Sequence, residues 1–157
     1  MQAISEMINF FRVNHRDLKG CTVAEIELLE QHHQLKLPNV YRAFLQLVGH
    51  DARGYQVGSN YDYPWLLTSK EFANELLARN ERPPLPDNTF VFWGHQGYQF
   101  CFFYTDTAEG NPLVYYYNEC YEIPTYLEIS RLDDALRNPG SALEGPLKGV
   151  KDNGRCC

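Results

Sequence analysis

The chain has no stretch approaching the ~18 apolar residues of a helical membrane span. It also has no C-x-x-C pair, no H-E-x-x-H, and no glycine loop leading into Lys at phosphate-binding spacing. A transmembrane helix, the commonest metal-site signatures and P-loop chemistry are thereby excluded by pattern. Basic residues are scarce: 14 Lys+Arg face 20 Asp+Glu, a formal net charge of −6 at pH 7. Without clustered Lys and Arg there is no counterion-release drive toward nucleic acid, and a basic protein is the natural complement. No internal repeat is present. Residues 1–17 hold no uninterrupted apolar core and no small-residue cleavage site, so no secretory signal is expected. The five cysteines (Cys21, Cys101, Cys120, Cys156, Cys157) are then expected as free thiols in a reducing cytoplasm. The terminal Cys156-Cys157 resembles a double prenylation signal but lacks a C-a-a-X tail or a polybasic run. A bare, solvent-exposed tail with no membrane attachment is expected.

What is present is a core. The 157 residues are 44% hydrophobic, with eleven Tyr, nine Phe and two Trp. That suits one folded domain and excludes a disordered chain. Ile4, Met7, Ile8 and Phe11 share a helical face, predicting a helix over about 4–13. Thr22 and Glu25 form a capping box that opens a second helix, with Val23, Ile26 and Leu29 inward. Leu37-Pro38 starts a third, burying Tyr41, Phe44, Leu45 and Val48, with Gly49 as its C-terminal cap. Residues 50–64 read as an irregular loop around a short strand. Thr68 and Glu71 suggest another capping box, opening a helix through Phe72, Leu76 and Leu77.

From Phe90 the period changes to two. Phe90 to Trp93, the alternating run around Phe100 and Phe102, and Leu113 to Tyr117 read as an antiparallel meander, with Tyr126 to Ile129 as a fourth, edge element. A short final helix, capped by Ser130, is expected to end at Arg137. The resulting class is α+β: a single domain over 1–137 with a central, mainly antiparallel sheet of four to six strands, N-terminal helices and a short C-terminal helix. The remaining 138–157, with four Gly and two Pro, read as a C-terminal tail that is poorly ordered at its end.

Catalytic constellations are thin. Adjacent His32 and His33 point about a third of a turn apart and read as solvated, favourable to the helix dipole. Cys101 could meet His95 across a hairpin as nucleophile and base, but a cysteine among Phe residues in mid-strand reads as a buried, inert thiol. Cys120 has Glu119 and Glu122 nearby, which would raise its pKa. No catalytic residue, cofactor or metal ligand is assigned. Asp51 and Asp62 lie in the Tyr-rich loop, where loops carry function.

Several segments together resemble the SUKH superfamily, the Smi1/Knr4-like domain. They are Val23-Ala24-Glu25-Ile26; Leu37-Pro38-Asn39-Val40-Tyr41-Arg42-Ala43-Phe44-Leu45 followed by Gly49; Phe90-Val91-Phe92-Trp93-Gly94; Gly97-Tyr98-Gln99-Phe100; and Asn111-Pro112-Leu113-Val114-Tyr115. Tyr126-Leu127-Glu128-Ile129 adds a weaker match, and the resemblance spans about 20–137. His50 departs from the double glycine common after the third helix. The resemblance implies a non-enzymatic protein-binding domain with no invariant catalytic set. Bacterial members are often immunity proteins that neutralise a toxin, and eukaryotic relatives act in regulation and assembly.

The first functional expectation is therefore a cytoplasmic immunity protein, monomeric or weakly dimeric, that binds a toxin with a basic surface. Its contact surface is expected at Asp51, Tyr55, Tyr61, Asp62 and Tyr63, with Glu119, Tyr121 and Glu122. A regulatory scaffold for another cellular protein comes second, and a small hydrolase using Cys101 and His95 third.

Overall fold

In a computed structural model, residues 1–107, 110–123 and 125–156 are described. The first helix, α1 (Gln2–Asn14), buries Met7 and Phe11. α2 (Val23–His33) opens on the expected capping box: the Glu25 N–H donates to Thr22 Oγ1 at 3.2 Å, and the Thr22 N–H donates to Glu25 Oε2 at 2.8 Å. Ile26 and Leu29 face inward, but Val23 is exposed, because the first residue after the cap lies off the buried stripe. α3 (Asn39–Val48) follows Pro38 and buries Val40, Tyr41, Phe44, Leu45 and Val48. Gly49 does follow it, but not as a left-handed cap, since its φ is −62°. Its role is close approach: a Cβ there would lie 2.5 Å from Cys21 Sγ and 2.6 Å from the Leu45 carbonyl oxygen.

Residues 50–64 are more structured than expected. β2 (Asp51–Arg53) pairs antiparallel with β1 (Arg16–Lys19) as a two-stranded ribbon. β3 (Ser59–Asn60) joins the main sheet, and α4 (Tyr63–Leu66) follows. α5 (Ser69–Arg79) lacks the anticipated capping box, because Thr68 Oγ1 donates instead to the Trp65 carbonyl at 3.2 Å.

The five-stranded sheet runs in the order β3-β4-β5-β6-β7, antiparallel throughout, with β4 (Thr89–His95), β5 (Gln99–Tyr104), β6 (Leu113–Asn118) and β7 (Leu127–Arg131). The period-two reading of β5 holds, and both of its faces are buried. Phe103 and Cys101 join Phe90, Phe92, Val114 and Tyr116 in the core beneath α1 and α3. Phe100 and Phe102 join Val91 and Tyr117 against Ala73, Leu76 and Leu77 of α5. An aromatic run with apolar residues at both parities is what a sheet covered on two sides requires. The register shift between Val91 and Trp93 puts the consecutive Phe92 and Trp93 into one core.

α6 (Leu132–Arg137) is not capped by Ser130, which lies within β7. Asn111, just before the neighbouring β6, caps it: its Oδ1 accepts the Asp133 N–H at 3.0 Å, and its Nδ2 donates to Asp133 Oδ1 at 2.7 Å. The segment after 137 carries defined structure. It forms α7 (Pro139–Leu147), then lies along the turn after β6, where the Glu122 N–H donates to the Lys151 carbonyl and the Asn153 N–H to the Cys120 carbonyl, each at 2.8 Å. There Cys120 and Cys156 form a disulfide, with Cα atoms 5.3 Å apart. This overturns the expectation of free thiols for that pair; Cys21 and Cys101 remain free and buried. Cys157, the other half of the terminal pair, lies outside the described residues.

Candidate functional site

Sheet register sets Ser59 of β3 and Asn118 of β6 in one row across the sheet. Ser59 pairs with His95, His95 with Gln99, and Gln99 with Asn118. Three strand spacings, roughly 14 Å, therefore separate β3 from the end of β6. Glu119, Tyr121 and Glu122 follow Asn118 at one end of this row. From Ser59 at the other, β3 runs back along β4 with Asn60 opposite Gly94, while Asp51 pairs with Lys19 in the β1–β2 ribbon and Tyr63 lies beside His50.

The eight residues differ in what they expose. Tyr55 and Tyr61 retain only 6% and 8% of their surface and belong to the core. The Tyr55 hydroxyl donates to the Leu136 carbonyl at 2.7 Å, and Tyr61 accepts the Ala52 N–H at 3.2 Å. Their rings meet edge to face, with centroids 4.9 Å apart. Asp51 and Glu122 are exposed, and Asp62, Tyr63, Glu119 and Tyr121 are half-buried. Glu119 is held in place: Asn80 Nδ2 donates to its Oε2 at 2.8 Å, and Arg79 approaches its Oε1 at 3.7 Å. Beside it, a cleft of about 650 Å³ is lined by Arg82, Tyr117, Glu119, Tyr121, Glu122 and Arg155, among others. The Arg82 guanidinium lies 4.8 Å from the Tyr117 ring centroid. The disulfide-bound C-terminal segment forms one wall, so this cleft was not visible in the local sequence around β6.

The Cys101–His95 pairing does not assemble. Cys101 is opposite Trp93 in the ladder, and burial pushes its thiol pKa far up. His95 Nδ1 instead shares a hydrogen bond with Ser59 Oγ at 2.8 Å, and its ring stacks on Trp93. His33 also departs from expectation. Its Nε2–H donates to the Leu66 carbonyl at 2.7 Å, its ring meets Phe90 edge to face, and burial lowers its pKa against the opposing effect of that bond. It ties α2 to α4, whereas His32 is exposed.

One cluster had no signal in the sequence. Cys21, Glu25 and His50 bring a thiol, a carboxylate and an imidazole together with all ligand atoms within 4.8 Å of one another. His50 Nε2–H donates to Glu25, at 3.0 Å from Oε2 and 3.1 Å from Oε1. Cys21 is buried, while Glu25 and His50 keep about a third of their side chains in solvent (31% and 33%). Burial, and then the Glu25 charge, push the Cys21 thiol up to about 12. The Glu25 carboxyl lies below its ordinary value, first through the Thr22 N–H and then through His50. Cys21 and Glu25 are i and i+4 on either side of a helix cap, but His50 is supplied by the packing of α3 on α2.

Comparison with known proteins adds one finding. A sequence model of the SMI1 / KNR4 family (SUKH-1) matches residues 20–134. No curated protein and no solved structure matches the chain.

Proposed function

We propose, from the premise that this chain belongs to the SMI1 / KNR4 family (SUKH-1), that it is a non-enzymatic binding protein, and that it serves as an immunity protein neutralising a toxin by direct contact. The observation that carries this reading is that exposed or half-exposed acids accompany half-exposed tyrosines at two places on the surface. Asp51 and Asp62 accompany Tyr63 in the segment after α3, and Glu119 and Glu122 accompany Tyr121 after β6.

In this reading Tyr63 and Tyr121 are the aromatic anchors and the carboxylates supply the charged rim. Tyr55 and Tyr61 act beneath the surface, shaping the loop that carries Asp51 and Asp62. The net charge of −6 supports a basic partner, whose approach it would accelerate and whose phosphate-binding surface it would cover. The setting is cytoplasmic, where such a partner would act.

Co-expression with the product of the adjacent gene, followed by affinity capture, tests the reading. A 1:1 complex that relieves that product's toxicity is the expected result. A neighbour that is non-toxic but bound would move the assignment to a regulatory scaffold, and a neighbour that is neither would remove its basis.

A further inference from the structure

The cluster at the junction of α2 and α3 is built like a metal site. We propose that Cys21, Glu25 and His50 bind a thiophilic divalent transition metal, with zinc the best match. The three donors are the sulfur, nitrogen and oxygen types that zinc accepts together, and three protein ligands leave a fourth position for solvent. Zinc bond lengths of about 2.3 Å to sulfur and 2.0–2.1 Å to nitrogen or oxygen put tetrahedral ligands about 3.4–3.6 Å apart. His50 and Glu25 start at 3.0–3.1 Å, and all three donors lie within 4.8 Å of one another, so the pair distances depart from that spacing by little more than 1 Å.

The backbone around the donors is already fixed. The Cys21 N–H donates to the Leu45 carbonyl at 2.7 Å, and the His50 N–H donates to the Lys19 carbonyl at 2.9 Å. Glycines at both junctions allow this closeness. A Cβ on Gly20 would overlap the Gln46 carbonyl, and one on Gly49 would strike Cys21 Sγ. Glu25 divides its labour: Oε2 takes the Thr22 N–H of the capping box, leaving Oε1 without a backbone partner and available to a cation. The ring of Tyr63, 5.5 Å from His50, covers the imidazole. The site also lies between the N-terminal end of α2 and the C-terminal end of α3, whose opposed dipole ends largely offset for a bound cation. The partial exposure of Glu25 and His50 gives the ion a route in.

The test uses the full chain, reduced and stripped with a chelator, titrated with Co²⁺ as a spectroscopic probe and with Zn²⁺ in competition. One Co²⁺ per chain, with thiolate-to-cobalt charge-transfer absorption, is expected in wild type and equally in Cys101→Ser and Cys156→Ser. The charge-transfer band should vanish in Cys21→Ser. Zn²⁺ affinity should fall in His50→Ala by more than the roughly 10–100-fold that loss of an outer partner gives. Zn²⁺ should raise the melting temperature of wild type and of neither ligand variant. Should Cys21→Ser fail to fold, alkylation of wild-type Cys21 followed by mass spectrometry decides instead: protection by Zn²⁺ supports the site, and an unchanged rate overturns it. Persistence of the thiolate band without Cys21, or no wild-type uptake below about millimolar metal (about −4 kcal/mol of binding), also overturns it.

Discussion

Tyr41→Phe should stabilise this protein, although Tyr41 is a fully buried residue at the centre of the core. Its ring lies 5.3–5.7 Å from those of Phe44, Phe90 and Phe103, all of which a phenylalanine would keep. Its hydroxyl is buried with no hydrogen-bond partner among the described residues. Leaving a polar group in that state costs about 1–3 kcal/mol relative to its hydrated state in the unfolded chain. Removing the oxygen opens a void on the order of 10 Å³, which at about 24 cal/mol per Å³ returns only about 0.2 kcal/mol. The net gain should be about 1 kcal/mol, or roughly 2–4 °C in melting temperature for a chain of this size.

Tyr55→Phe is the internal control. Its hydroxyl donates to the Leu136 carbonyl at 2.7 Å, so the same change should cost about 1 kcal/mol. Urea unfolding followed by the fluorescence of Trp65 and Trp93 measures both. A loss of 1 kcal/mol or more for Tyr41→Phe would show its hydroxyl to be bonded and refute the reasoning.

Three further perturbations read other parts of the fold. Glu30 is buried and binds Arg42 at 2.6 Å, Lys36 at 3.4 Å and the Leu37 N–H at 2.9 Å. Burial alone would raise its pKa, but these partners together hold it below the ordinary value. Its stabilisation is therefore complete above the unfolded carboxyl pKa of about 4.3 and is lost as pH falls through the lower folded value. Glu30→Gln should cost about 2 kcal/mol at pH 7, less than a fully buried pair because its cations reach solvent, and should flatten the acid limb of a stability–pH curve. Gly49→Ala should cost about 1–3 kcal/mol in urea unfolding by forcing Cys21 and the Leu45 carbonyl apart. Cys156→Ser removes a link across a sequence separation of 36; it should lower stability by about 2–4 kcal/mol under oxidising conditions, and added dithiothreitol should erase the difference from wild type.

Local patterns carried the parts of the fold that local physics decides. The Tyr41, Phe44, Leu45 and Val48 stripe gives α3, the Thr22–Glu25 pair gives the start of α2, and the aromatic alternation gives β4 to β6. β1 was invisible because Arg16-Asp17-Leu18-Lys19 has little apolar content, and its partner lies beyond two helices. α7 contains Pro and Gly and no fully buried residue, so neither propensity nor periodicity marks it. The pairing of Cys120 with Cys156 depends on that segment returning to the sheet.

The candidate surface was legible by type but not by exposure. Irregular segments have no period, so nothing in the order of Tyr55, Tyr61 and Tyr63 separates two core rings from one half-exposed ring. Cys21, Glu25 and His50 are brought together by helix packing, and no spacing rule relates His50 to the other two.

The central claim, that acidic, tyrosine-bearing surface binds a basic protein partner, is tested most directly by titration calorimetry of the chain with the product of the adjacent gene. The measurement compares wild type with the Asp62→Lys, Glu122→Lys double variant at low and physiological salt. Affinity should fall by about ten- to a hundredfold in the variant, and most of the wild type's salt dependence should disappear. A variant that folds normally and binds with unchanged affinity at both salt concentrations would contradict the account.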